Sequence, residues 1–248
     1  MKQKLWVGMA VGLMLLGMSG VAGATLVTIG TAGYGGNSYK LIWEANNNGH
    51  SLVWLDYTNA GDIWGNQQAW ANGLNGVLSY NLNPGYSVNW GGNSWRLPAT
   101  VDGPIGNWGY NGTTTSGYNI TSSEMGHLFY TELGNKGFYD TAGNSPQAGW
   151  GLTSVGDFSH LTASWYWSGT EYADYPSYYA WDFGMDDGGQ FIDGKYDIGM
   201  DGLAVRSGQV TYSGGATPTP EPATILLLGT GLAGLIGGRM KRRRGLAA

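Results

Sequence analysis

The 248-residue chain contains no cysteine. Disulfides, thiolate metal centres and thiol nucleophiles are therefore excluded, and any folded part must be held by packing alone. Positive charge is scarce as well, and unevenly spread. Lys2, Lys4, Arg239, Lys241, Arg242, Arg243 and Arg244 crowd the two ends, leaving only Lys40, Arg96, Lys136, Lys195 and Arg206 between Thr25 and Ala216. That middle holds 16 of the 17 acids. So acidic a surface repels phosphate backbones and argues against nucleic acid; it suits cations, neutral sugars or polycationic partners. Catalytic signatures are also missing. No G-x-S-x-G step occurs, and His50, His127 and His160 show no metal-ligand spacing, so His127 reads as a surface or interface residue.

What is present divides the chain into three. Lys2 and Lys4 precede the apolar stretch Leu5 to Leu16, and Ala22-Gly23-Ala24 follows. A charged start, a short apolar run and an A-x-A exit describe a secretory signal peptide over 1–24. The middle, 25–216, is long enough for one domain with a real core. Within it, 11 Trp, 16 Tyr and 5 Phe supply core area, while many Gly and Asn supply tight turns. The last part, 217–248, runs from a Pro-Glu-Pro step through an apolar run to a basic cluster.

Within the middle, "YKLIWE" and "SLVWLDY" read as strands joined by the turn "ANNNGH". "NQQAWANGL" reads as a short helix with Ala69, Trp70 and Leu74 on one face. In "ITSSEMGHLFYTELG", Thr121 and Glu124 make a capping box, Met125, Leu128, Phe129 and Leu133 recur at helical spacing, and Gly134 supplies the stop. "SWYWSGTEY", "SYYAWDFG", "GGQFID" and "GLAVRSG" read as strands, whereas 75–120 reads as a long loop. This segregated order predicts an α+β fold with two helices and antiparallel β-strands.

The phrases "LVWLDYTNAGDIWGNQQAWANGL", "SWRLPAT", "SSEMGHLFYTELGN", "YWSGTEYADYPSYYAWDFG" and "LAVRSG", in this order, resemble the Lcl C-terminal domain family of bacterial surface and secreted proteins. The resemblance covers Tyr39 to Gly208 and implies a C-type-lectin-like fold. The E-P-N, Q-P-D and W-N-D steps of calcium-dependent sugar-binding lectins are absent, so lectin activity does not carry over. Formylglycine-generating enzymes share a related fold, but their oxidase chemistry needs cysteines. The tail resembles the PEP-CTERM sorting signal in its Pro220-Glu221-Pro222 step, its apolar Ala223 to Gly238, and its basic Arg239, Arg242, Arg243 and Arg244.

Several residues invite a site. Arg96 in the W-R-L-P step is either a ligand-groove residue or a clamp pairing with a buried acid. Tyr175, Tyr178 and Trp181 carry flat faces suited to sugar C–H surfaces. Asp182, Asp186, Asp187 and Asp193 offer carboxylates to calcium, although Asp-Gly is also an ordinary turn dipeptide and EF-hand spacing is absent. Glu171 beside Asp174 is the nearest approach to a glycosidase acid pair. The expected function is therefore an exported, non-catalytic binding or structural module without a cofactor, calcium excepted. Its partners would be extracellular polysaccharide or an envelope protein; a secreted polysaccharide-acting hydrolase is the alternative. The run Ala223 to Gly238 makes about 24 Å of helix against a hydrocarbon core of roughly 30 Å. It is too short for a durable anchor, so the tail is expected to touch the membrane only until an exosortase-type enzyme cuts it near Pro220 to Pro222. Export across the inner membrane would then end at the cell surface or in the extracellular matrix.

Overall fold

The computed structural model describes residues 26–106 and 115–214. The expected signal peptide (1–24) and the sorting tail (217–248, with its apolar run 223–238) lie outside the described residues. In chain order the elements are β1 (Val27–Tyr34), β2 (Asn37–Asn47), β3 (His50–Asp62), α1 (Trp64–Gly73), β4 (Ser79–Leu82), β5 (Tyr86–Asn89), α2 (Glu124–Gly126), β6 (Trp165–Glu171), β7 (Tyr179–Gly184), β8 (Gln190–Gly194), β9 (Met200–Ser207) and β10 (Gln209–Tyr212). Eight strands form one sheet in the order β4-β1-β2-β3-β9-β6-β7-β8, and β10 pairs with β5 in a second.

The β2–β3 hairpin is the one expected from its turn. Asn47 lies opposite His50, and Asn48 and Gly49 both take positive φ, 50° and 90°. That two-residue turn matches the twist of its strands. Alternation then sorts the apolar residues of both strands onto two faces. Ile42, Leu52 and Trp54 enter one core with Met125, Leu128 and Phe129. Leu41, Val53 and Leu55 enter another with Ile29, Leu74 and Trp95. The central strands are thus covered on both sides.

This layering overturns the α+β, C-type-lectin-like expectation. Strands dominate the described chain, and the arrangement resembles a β-sandwich. The sheet is also mixed, not wholly antiparallel, because β6 and β9 run parallel where Tyr166 meets Asp201. The reason lies in the elements that sequence patterning missed. β1 is interrupted by glycine, and β4, β5 and β10 are four residues each. Gly30 sits at a bulge of β1 where a Cβ would lie 2.5 Å from the Asn81 carbonyl oxygen of β4, so glycine is what lets this edge close. The stretch expected as one long loop therefore supplies strands.

The first helix starts two residues earlier than its pattern implied, at Trp64, and the second is a much shorter α-helix than its pattern implied. On α1 the buried residues are Gln67 and Ala71, with Leu74 just beyond, while Ala69 is exposed. Gln67 is buried because its amide donates to the Ala60 and Met200 carbonyls, both at 2.9 Å. At α2 the cap is Ser123, not Thr121; its hydroxyl accepts from the Gly126 amide at 3.0 Å. The helix widens at once into a π turn over His127–Glu132. Met125, Leu128, Phe129 and Leu133 are all buried, and Gly134 ends the element at φ 65°.

Glu124 is free of capping duty and serves the W-R-L-P strap instead. Trp95 and Leu97 are buried, and the Arg96 backbone bridges to Val205 of β9. The Arg96 guanidinium grips Glu124 with two bonds, 2.6 and 2.7 Å, while Glu124 also accepts from the Ala99 amide at 2.7 Å. This fork joins the strap to the helix, with charge-assisted bonds of the stronger kind. Glu124→Gln is expected to cost about 2 kcal/mol and to lower Tm by roughly 4–8 °C, measured by thermal unfolding followed in the near-ultraviolet.

Candidate functional site

The β6–β7 connection carries the exposed aromatics. Its base is a small core of Tyr172, Trp181 and Ile192, with the Tyr172 and Trp181 rings edge to face at 5.9 Å. Trp181 is wholly buried, and its indole N–H donates to Asp102 at 2.8 Å, so it supports the loop and presents no face to a ligand. Successive turns from Tyr172 to Tyr179 fold the connection tightly. Tyr175 and Tyr178 project from it, 61% and 66% exposed.

Lys195, buried at the end of β8, fastens this loop from below. Its ammonium donates to Glu171 Oε1 at 2.5 Å and to the Pro176 carbonyl, and lies 4.2 Å from the centre of the Trp64 ring. Its backbone amide donates to the Tyr178 carbonyl at 2.9 Å. Between these groups opens a cleft of about 500 Å³ lined by Ile63, Trp64, Glu171, Pro176, Lys195 and Tyr196. Tyr196, 67% exposed, stands at its rim. Glu171 and Asp174 do not pair: Glu171 takes Lys195, and Asp174 accepts from the Tyr172 hydroxyl at 2.8 Å. Lys195 cancels the Glu171 charge, so the cleft is aromatic and near neutral in an otherwise acidic domain. Tyr175 and Tyr178, singled out from the sequence, are exposed on the adjoining loop but do not line this cleft; Trp64, Lys195 and Tyr196, which do, were not singled out. The readable signal was Lys195 itself, one of five cations in the middle, set between Gly194 and Tyr196.

Across the Lys195–Gly199 loop lies a second groove of about 380 Å³, lined by Trp165, Phe191, Asp193, Ile198 and Met200. The strand register puts Asp182 on the same face as Trp167 and Phe191. Asp182 is fully buried, and neither of its oxygens completes a hydrogen bond. Burial, then the charges of Asp193 and Asp187, hold its carboxyl well above the usual range; the nearby Phe191 amide offsets this only in part. Burial also raises Asp193, and raises Asp187 against the bonds from Gly189 and Tyr118. Asp187 is occupied: Tyr118 donates to one oxygen at 2.7 Å and the Gly189 amide to the other at 2.8 Å. Among the described residues, Asp182, Asp186, Asp187 and Asp193 do not form a group whose ligand atoms all lie within 4.8 Å of one another.

Among the described residues, the acid and histidine ligand atoms that do converge, within 4.8 Å, belong to Glu44, His127 and Glu132. His127 Nδ1 is 2.7 Å from Glu44 Oε1 and 3.8 Å from Glu132 Oε1. The Glu44 hydrogen bond, against burial and with the Glu44 and Glu132 charges, raises the imidazole. Burial, then Glu44, pushes the Glu132 carboxyl up to about 7, with His127 opposing. Sequence reasoning missed this group because Glu44 lies on β2, far from the π turn in the chain.

Residues 218–244 match the PEP-CTERM protein-sorting motif. The chain is thus an exosortase-targeted extracellular protein, exported and transiently anchored in the membrane before cleavage. The PEP-CTERM match contains all of Pro220, Glu221, Pro222, Arg239, Arg242, Arg243 and Arg244. No curated protein and no solved structure matches the chain. Among the described residues, no helix is long and apolar enough to cross a membrane.

The raised groups share one linkage sign. A carboxyl or imidazole that binds its proton more tightly when folded contributes stability below its unfolded value and loses it as pH rises through the folded one. For Glu132 that interval runs from 4.5 to about 7, and the loss from His127 begins near 6.5. The protein is therefore expected to lose Tm as pH rises from 4.5 to about 7, with the His127 contribution fading above 6.5. Asp182→Asn, which removes one buried ionisation, should flatten that slope in scanning calorimetry.

Proposed function

We propose that the domain is a non-catalytic binding module that holds extracellular polysaccharide at the cell surface or in the matrix. The binding site is the cleft between Trp64 and Tyr196, together with Tyr175 and Tyr178 of the loop whose Pro176 and Ser177 line it. The observation that carries this reading is a near-neutral cleft lined by Trp64 and exposed Tyr196, walled by Pro176 and Ser177 of the loop that also bears exposed Tyr175 and Tyr178. Phenol rings combine an apolar face with a polar edge, which suits a sugar's C–H face and hydroxyl rim. Lys195 holds the loop in place before any ligand arrives, so little ordering entropy is lost on binding. A neutral or cationic glycan fits the acidic surround better than a polyanionic one.

Tyr175→Ala, Tyr178→Ala and Tyr196→Ala are each expected to cost about 1–2 kcal/mol of binding, roughly tenfold in affinity. Tm should stay unchanged because each ring is exposed. Affinity electrophoresis in gels cast with the producing cell's own exopolysaccharide measures this. Equal retardation of all three variants would remove the cleft from consideration. Reducing-sugar release that disappears in Glu171→Gln would instead identify a hydrolase.

A further inference from the structure

Glu44, His127 and Glu132 form a second chemical centre, remote in sequence from the tyrosine cleft and sharing no residue with it. Glu44 points from β2 toward the π turn. Its Oε2 is fixed by the Trp54 indole N–H at 2.7 Å and the Asn47 amide at 3.1 Å, which leaves Oε1 facing His127. Such outer hydrogen bonds are what orient a metal-ligating carboxylate. Glu132 is in a different state. Both its oxygens are buried without a hydrogen-bond partner, and Oε1 is directed at the same imidazole nitrogen from 3.8 Å.

The π turn is what brings the second carboxylate there. In an α-helix, residues five apart are rotated by about 140° from one another. Here the Leu133 amide donates to the Leu128 carbonyl at 2.9 Å, a bond spanning five residues. The widened turn carries Glu132 back beneath His127. π turns inside helices are uncommon and concentrate at functional sites. Charge leads to the same place: two buried carboxylates face one imidazole, so once both ionise even an imidazolium leaves one negative charge uncompensated. A divalent cation neutralises both carboxylates and takes the imidazole nitrogen as a neutral ligand.

We propose that Glu44 Oε1, His127 Nδ1 and Glu132 Oε1 bind a first-row divalent transition ion, zinc best among them, with one position left for water. The two oxygen–nitrogen separations, 2.7 and 3.8 Å, bracket the ligand spacing of about 3.3 Å in a tetrahedral zinc site with bonds near 2.0–2.1 Å. Calcium, which takes oxygen ligands in larger number, fits an imidazole poorly. The ion ties β2 to the π turn.

The test is calorimetric titration of zinc into the exported, untagged protein after chelator treatment, with Tm read in parallel. One ion per chain and a higher Tm are expected. Glu132→Gln keeps the side-chain shape, folds without the ion, and should weaken zinc by about 10–100-fold or more. His127→Asn should do the same, and the metal-free Tm of each variant separates lost binding from lost folding. Absence of stoichiometric zinc binding overturns the proposal, as does unchanged affinity in both variants.

Discussion

Leu41, Val53 and Leu55 turn to one side of the central strands, and Ile42, Leu52 and Trp54 turn to the other. Neither face of β2 and β3 can be left to water, and no disulfide is available to hold a partial cover in place. Two layers must therefore be recruited from the rest of the chain. One comes from α2, its π turn and the segment around Phe158 and Leu161. The other comes from Leu74, Trp95 and the β5–β10 pair, whose Val88 and Val210 pack against it beside Leu82 of the edge strand β4. The site-bearing part of the sheet, β6 to β8, is built outward from this ribbon through the single parallel step to β9.

Scarcity of cations shapes what the covering layers can do. Arg96 forks onto Glu124, and Lys195 ties Glu171, Pro176 and Trp64 together. Lys40 holds the Asp157 carbonyl and the Ser159 hydroxyl, while Arg206 lies over Trp90 and donates to the Asn93 carbonyl. Each of these four fastens a loop. The acids outnumber them, and Asp182 and Glu132 are buried with no hydrogen-bond partner. The acidic composition is thus more than a solubility property: it leaves interior carboxyls that must hold a proton or meet a metal ion.

Much of this was legible in the sequence where local chemistry decides the outcome. Asn48-Gly49 specified its hairpin, Gly134 its helix stop, and the four aromatic or β-branched runs from Ser164 onward their strands, because turn geometry and side-chain period act over a few residues. Sequence reading failed where partners are distant. β4, β5 and β10 are too short to show a period and become strands only by pairing with β1 or each other. Ser123 caps in place of Thr121: its hydroxyl takes the Gly126 amide, while the Glu124 amide donates to the distant Ala99 carbonyl. Of the site, exposed Tyr175 and Tyr178 were readable from their turn. Trp181 was not, since its burial depends on Asp102 and Ile192, and neither was the meeting of Glu44 with His127.

The tyrosine cleft is proposed as the place where this exported domain meets a glycan. Two-dimensional NMR of the protein titrated with fragments of the native exopolysaccharide tests that directly. Resonances of Trp64, Tyr175, Tyr178 and Tyr196 should shift together and saturate along one binding curve. Shifts confined to the Trp165–Phe191 groove, or none at saturating fragment, would contradict it.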